Sequence, residues 1–222
     1  FEAPVPGTGV TFRHGLAYGE PGYVFLRNDF GGPSKILGLF DGTSEKLTSY
    51  DASSLSSGWH HITVSSAVGN TKFFINGNHV GSISDNVILE VKTVGNLLAG
   101  NGKFSPKLDD FRVYDRTFST ADVTTLYGNG NGDFGVHPYA DFPPSFDNIP
   151  VILPPRNPIV YWTFNELNGT QVRDDSGKNN HGVFDDNLTA LPNLFDFSDV
   201  GRSGTGIRFD GNQTVKLTND AG

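Results

Sequence analysis

Between residues 22 and 114 the chain repeats one pattern: runs of four to six residues in which apolar and polar side chains alternate, each ended by a cluster of Gly, Asn, Asp and Ser. Alternation at period two puts every second side chain on one face. Each run therefore reads as a strand with a buried and a wet side, and many such strands separated by turn residues specify a sandwich or barrel. The runs cover 22–26, 35–40, 60–65, 72–75, 79–82 and 110–114. Asn76-Gly77, set between FFI and NHV, marks a two-residue hairpin, because a type I′ turn needs positive φ at both central positions. One short helix is expected from Ser119 to Tyr127. Ser119 caps it, Asp122 completes a capping box, Phe118 and Val123 stand at hydrophobic-staple positions, and Gly128 stops it. The fold class is all-β, an antiparallel β-sandwich with this single helix.

Composition agrees and removes several functions. The 222 residues carry 36% hydrophobic and 18% charged side chains with 28 Gly, which is neither a disordered nor a helical-bundle composition. A net charge of -8 speaks against a phosphate-backbone partner, so no nucleic acid is expected. No Cys occurs, which excludes disulfides, zinc-thiolate sites and thiol nucleophiles. No apolar run reaches the roughly 18 residues of a membrane span, so no membrane insertion is expected. The chain also has no Met, and Phe1 is expected to be a processed or internal start within a longer polypeptide.

The sharpest break lies at 137–158, which holds seven of the thirteen prolines. Proline fixes φ and removes donors, so this stretch reads as a semi-rigid linker. After it, 159–164 alternates as a strand, and 206–211 with 214–217 suggests a hairpin across Asp210 to Gln213.

Two blocks carry a family resemblance. GWHHITVSSAVGNTKFFINGNHVGSIS, followed by LLAGNGKFSPKLDDFRVYDRTFSTADVTTLYGNGNGDFG, resembles the C-terminal two-thirds of a laminin G-like, concanavalin A-like jelly-roll module. YWTFNELNGTQVRDDSGKNNHG with GRSGTGIRFDG resembles the N-terminal third of such a module. On that resemblance, 1–136 is most of one module, 137–158 a linker, and 159–222 the opening of a second. Joined in the opposite order the two parts nearly rebuild one module, lacking one strand. An N-terminal third alone would leave sheet edges open, so its strands either close on 1–136 within the chain or pair with a neighbouring copy, the latter making a filament.

The resemblance also directs the search for sites. Sugar-cleaving relatives use paired carboxylates, but the five glutamates, Glu2, Glu20, Glu45, Glu90 and Glu166, show no Glu-x-Asp-x-x-Glu arrangement, and no catalytic residue is assigned. His60 and His61 are adjacent on a strand and face opposite ways, so they do not share an ion; one is expected to face the core and the other solvent. Some relatives hold a structural calcium in loops matching Asp109, Asp174, Asn180 and Asp210; the competing reading is that these residues only build tight turns, and Asn165 stands where relatives often carry Asp. Tyr18, Tyr23, Phe30 and Tyr50 could form a sugar platform or pack internally. Asn168, Asn187 and Asn212 open N-glycosylation sequons, expected on exposed loops of a secreted protein. The resulting expectation is a non-catalytic, extracellular structural or adhesive repeat of a surface, matrix or filament-forming protein. Its partners would be neighbouring copies and, secondarily, glycans. The alternative is a carbohydrate-binding module of a polysaccharide-degrading enzyme.

Overall fold

The computed structural model describes residues 1–3, 13–20, 22–28, 34–85, 90–95, 107–128, 158–166, 170–185, 196–200, 204–209 and 214–218. Before the Pro-rich stretch the chain forms β1 (Glu2–Ala3), β2 (Arg13–Glu20), β3 (Tyr23–Asn28), β4 (Lys35–Phe40), β5 (Glu45–Asp51), β6 (Gly58–Trp59), β7 (Ile62–Ala67), β8 (Asn70–Ile75), β9 (Asn78–Ile83), β10 (Glu90–Gly95), β11 (Lys107–Leu108), β12 (Phe111–Val113) and the helix α1 (Thr120–Leu126). After it come β13 (Val160–Trp162), β14 (Gln171–Val172), β15 (Gly182–Asp185), β16 (Asp196–Val200), β17 (Thr205–Arg208) and β18 (Thr214–Leu217).

The local signals act as their chemistry dictates. Asn76 and Gly77 take φ of 50° and 77° and join β8 to β9, the left-handed pair that a type I′ turn demands. A Cβ on Gly77 would also stand 3.0 Å from the Tyr127 ring, so the tip of this hairpin is closed against the end of α1. At the helix start, Ser119 Oγ accepts from Asp122 N (3.2 Å) while Asp122 Oδ2 accepts from Ser119 N (2.8 Å), satisfying two otherwise orphaned amides. Phe118 and Val123 are buried with Phe74 in a small cluster of their own, and Gly128 ends the helix at φ 73°.

Eight antiparallel strands form one unbroken sheet in the order β14-β15-β18-β10-β2-β3-β4-β5. Its centre is a weld between distant sequence: Thr93, Val94 and Gly95 of β10 pair with Lys216, Val215 and Thr214 of β18. Two further ladders join the same two parts of the chain. Phe111, Arg112 and Val113 pair with Trp162, Tyr161 and Val160, and Lys107 and Leu108 pair with Arg208 and Ile207. The facing layer comes in pieces among the described residues: β7-β8-β9, β12-β13, β11-β17-β16 and β1-β6.

One buried apolar cluster joins the layers, with Leu26, Leu37, Val94 and Val215 from the large sheet and Phe73, Trp162, Ile207 and Phe209 opposite. Trp162 is wholly buried. A Cβ on Gly182 would lie 2.5 Å from Val215 Cγ1 and 3.0 Å from Trp162 Cζ2, which is why the last Gly of the GKNNHG segment tolerates no side chain.

Three expectations change. The segments around 207 and 215 do not form a hairpin: β17 pairs with β11 and β16, whereas β18 pairs with β10 and β15, so the chain crosses between layers there. Both segments alternate, and alternation does not say which neighbour accepts the ladder. The run at 60–65 becomes a strand only at Ile62, because His60 N donates to Phe1 O (2.7 Å) and His61 O accepts from Asn76 N (2.9 Å), committing that backbone elsewhere. The run at 159–164 shortens to β13, ending before Phe164, which takes φ of 53°.

Three ladders and a shared core hold 158–218 to 1–126 without help from the connecting peptide. A protease site inserted within 137–157 and cleaved should therefore leave the two fragments co-eluting as one folded species in size-exclusion chromatography. Separation of the fragments under native conditions would show that the halves do not close on each other.

Candidate functional site

Asp174 organises the best-defined polar turn. Its Oδ1 accepts from Tyr161 N (2.8 Å) and Ser176 N (2.9 Å), and its Oδ2 accepts from Ser176 Oγ (2.7 Å) and Asn180 N (2.8 Å). A carboxylate offers about four acceptor positions, and these donors occupy them. Asn180 extends the device: its Nδ2 donates to Ile159 O (2.6 Å) and its carbonyl accepts Trp162 Nε1 (2.9 Å). The turn thus fixes the indole at the centre of the core. Burial pushes the Asp174 carboxyl up, but the donors from Tyr161, Ser176 and Asn180 outweigh it and hold the group below its ordinary value of 3.8.

Of the four candidate calcium ligands, the structure brings Asp174 and Asn180 into this one turn. Asp109 follows β11, where its Oδ1 accepts from Asp110 N (2.8 Å), and Asp210 lies outside the described residues. A hard cation needs several convergent oxygens. Among the described residues no group of three or more His, Asp or Glu is placed to hold a metal, and Asp174 would have to release protein donors to ligate one. The described residues do not fit a calcium ion at Asp174.

A second polar group escaped sequence reasoning. Tyr161 OH donates to Asp110 Oδ1 (2.8 Å) and accepts from Arg112 Nη2 (3.1 Å), while the guanidinium carbon stands 4.3 Å from the centre of the Tyr161 ring. Burial and the neighbouring Asp110 carboxylate push the Tyr161 hydroxyl up to about 12, with Arg112 opposing. The partners are about fifty positions apart in sequence, so no spacing signal exists; the only hint was that LDDFRVY and VYW both look like strands.

Beside this group opens a cleft of about 900 Å³. Its walls are 62–66 of β7 and 108–118 around β12, and its floor includes Leu16, Val24, Val91 and Leu217 of the large sheet. His60 and His61 stand at its mouth, each committed to structure. Asn76 Oδ1 accepts from His61 N (2.9 Å), which turns Asn76 Nδ2 toward His60 Nδ1 (2.8 Å) and leaves His60 Nε2 to donate to Ser56 O (2.8 Å). His61 is half-buried and its ring stacks on Tyr127 at 6.0 Å.

The candidate sugar platform is not presented as a surface. Tyr23 is buried between Phe40 (5.1 Å) and Tyr18 (6.4 Å), and Tyr50 is half-buried against the core. Phe30 and the sequon residues Asn168, Asn187 and Asn212 lie outside the described residues, so the expected loop positions of the sequons are not described.

Asp51 is a second carboxylate held by its neighbours. Burial acts to raise it, but Lys35 N (2.7 Å) and Ser53 N (2.9 Å) on Oδ1 bring it from 3.8 down to about 2. A group with a depressed folded value contributes stability fully above its unfolded value and loses it as pH falls through the folded one. The melting temperature should therefore fall as pH is lowered from about 4 toward 2. Asp51→Asn and Asp174→Asn should each flatten that slope, and an unchanged slope in both variants would refute the assignment. Asp174→Ala, which strands four buried donors, should cost about 3 kcal/mol in a denaturant titration at neutral pH.

Comparison with known proteins places this geometry. Residues 7–124 match the laminin G-type family model described as the concanavalin A-like lectin/glucanases superfamily. No curated protein and no solved structure matches the chain. Folds of this superfamily are often non-catalytic and such domains are typically extracellular, and no described helix is long and apolar enough to cross a membrane. With a matching model over more than half its length and the sandwich that the family predicts, the chain belongs to the laminin G-like branch of the concanavalin A-like lectin/glucanase superfamily.

Proposed function

We propose that this chain is a non-catalytic structural or adhesive module of an extracellular surface, matrix or filament-forming protein, repeated along a longer polypeptide and spaced by Pro-rich stretches such as 137–158. The observation that carries this reading is how its polar groups are spent. Glu20 pairs with Lys92 (3.1 Å), Glu45 with Arg27 (3.0 Å), and Glu166 Oε1 accepts from Arg173 N (2.8 Å). Glycoside cleavage needs two carboxyl groups facing one bond, and these three are committed to separate structural contacts. Sugar binding needs an accessible aromatic face, and Tyr18, Tyr23 and Tyr50 are drawn into packing.

In this reading the partners are neighbouring copies of the module. The Asp174 turn, with its acceptors filled by protein donors, serves as a hydrogen-bonded clasp that holds Trp162 without a cation.

Incubated with a broad panel of soluble and insoluble polysaccharides, the purified chain should release no sugar and show no retention. Retention on one of them would transfer the assignment to a carbohydrate-binding module. The melting temperature should be the same in chelator and in millimolar calcium. A calcium-dependent rise would mean that an ion binds the native state and would overturn the cation-free clasp.

A further inference from the structure

We propose that the cleft between β7 and β12 is a strand-acceptor slot, taking one extended peptide with apolar side chains at alternate positions and a basic residue at its end. The inference rests on the shape and charge of the cleft and not on the adhesive reading above.

The sheet forming the floor is continuous over eight strands, whereas the layer facing it is interrupted. Among the described residues β7 pairs only with β8, and β12 only with β13. The cleft lies at this interruption. Each wall supplies consecutive residues, 62–66 on one side and 108–118 on the other. A strand exposes alternate residues from a face, so an unbroken run of lining residues means that edges border the cleft. Unpaired edges carry backbone donors and acceptors that accept an added strand. The floor residues Leu16, Val24, Val91 and Leu217 are apolar, which asks for apolar side chains at every second position of the occupant.

Volume and closure agree with this shape. A strand residue occupies roughly 3.3 Å along the chain, 4.8 Å between strands and 10 Å between sheets, or about 160 Å³. The cleft of about 900 Å³ therefore holds about five or six residues, close to the six of β7. At one end the gap is bridged by a side chain: Ser65 Oγ accepts from Phe118 N (2.8 Å) and donates to Phe118 O (3.2 Å). There the hydroxyl performs the pairing that a strand would supply further along.

Charge selects the kind of peptide. The lining carries four carboxylates, Glu90, Asp109, Asp110 and Asp115, against the two guanidinium groups of Arg112 and Arg116. Both guanidinium groups face carboxylates of this chain, Asp110 and Asp122, each at 3.8 Å. The surplus is negative, so a terminal Lys or Arg is favoured over an acidic end.

The test uses the full chain and a labelled peptide of about seven residues, alternating Val and Thr with Lys at each end. Binding should be saturable, and hydrogen exchange of the amides at 62–66 and 111–113 should slow by about tenfold in the complex. A peptide of the same composition with Pro at alternate positions lacks the ladder donors and should not bind. Asp115→Lys, at an exposed residue, should leave the melting temperature unchanged and weaken the basic peptide by about fivefold. Absence of binding overturns the proposal. So does equal binding of the Pro peptide, or protection confined to other strands. It also fails if both edges in the free chain exchange as slowly as β8, which would mean that the slot is already filled.

Discussion

Three residue pairs, Thr93 with Lys216, Val94 with Val215 and Gly95 with Thr214, make one sheet out of two pieces of sequence. Removing this ladder would leave β10 and β18 with bare edges in the middle of the large sheet, and the buried polar backbone would have no partner. The facing layer depends on the same closure. Trp162 reaches the core only because β13 lies beside β12, and it packs against Gly182, whose strand pairs with β18. Pairing across the two pieces therefore comes first, and the packing of the aromatic core follows from it.

The Asp174 turn shows how a motif seen as a ligand set serves architecture. A short carboxylate at the head of a tight turn can accept from successive backbone amides or ligate a hard cation, and the two uses draw on the same lone pairs. Here Tyr161, Ser176 and Asn180 supply the donors, and Asn180 passes the restraint on to the indole of Trp162. The Asp110, Tyr161 and Arg112 contacts brace the opposite end of the same β12-β13 pair. Two polar devices thus fix one short ladder from both sides. This rigidity at the seam between the pieces contrasts with the open edge that β12 turns toward β7.

That contrast gives the module two different surfaces. One layer is a continuous sheet with its acids and bases paired, as at Glu45 with Arg27 and Glu20 with Lys92. The other layer is interrupted, apolar within and negative at its rim. A structural repeat needs the first for stability, and the second is where an extended segment fits.

The chain's own residues determined the local conformations. Period-two alternation, the Asn76-Gly77 turn and the Ser119-Asp122 capping box each follow from interactions within a few residues, and the sequence alone was enough to read them. Alternation also made the all-β class legible, and the ordered motifs of the two blocks identified the family. Tertiary structure decided which edge each strand joins. The segments around 207 and 215 looked like a hairpin because both alternate, yet they fall in opposite layers, since a ladder partner is chosen by core packing and not by proximity in sequence. Tertiary structure likewise decided that Asp174 meets amides, that Tyr161 meets Asp110 across about fifty positions, and that β7 and β12 border a common gap. Contacts between distant segments leave no spacing signature in a single sequence, because the distance along the chain carries no information about the distance between folded strands.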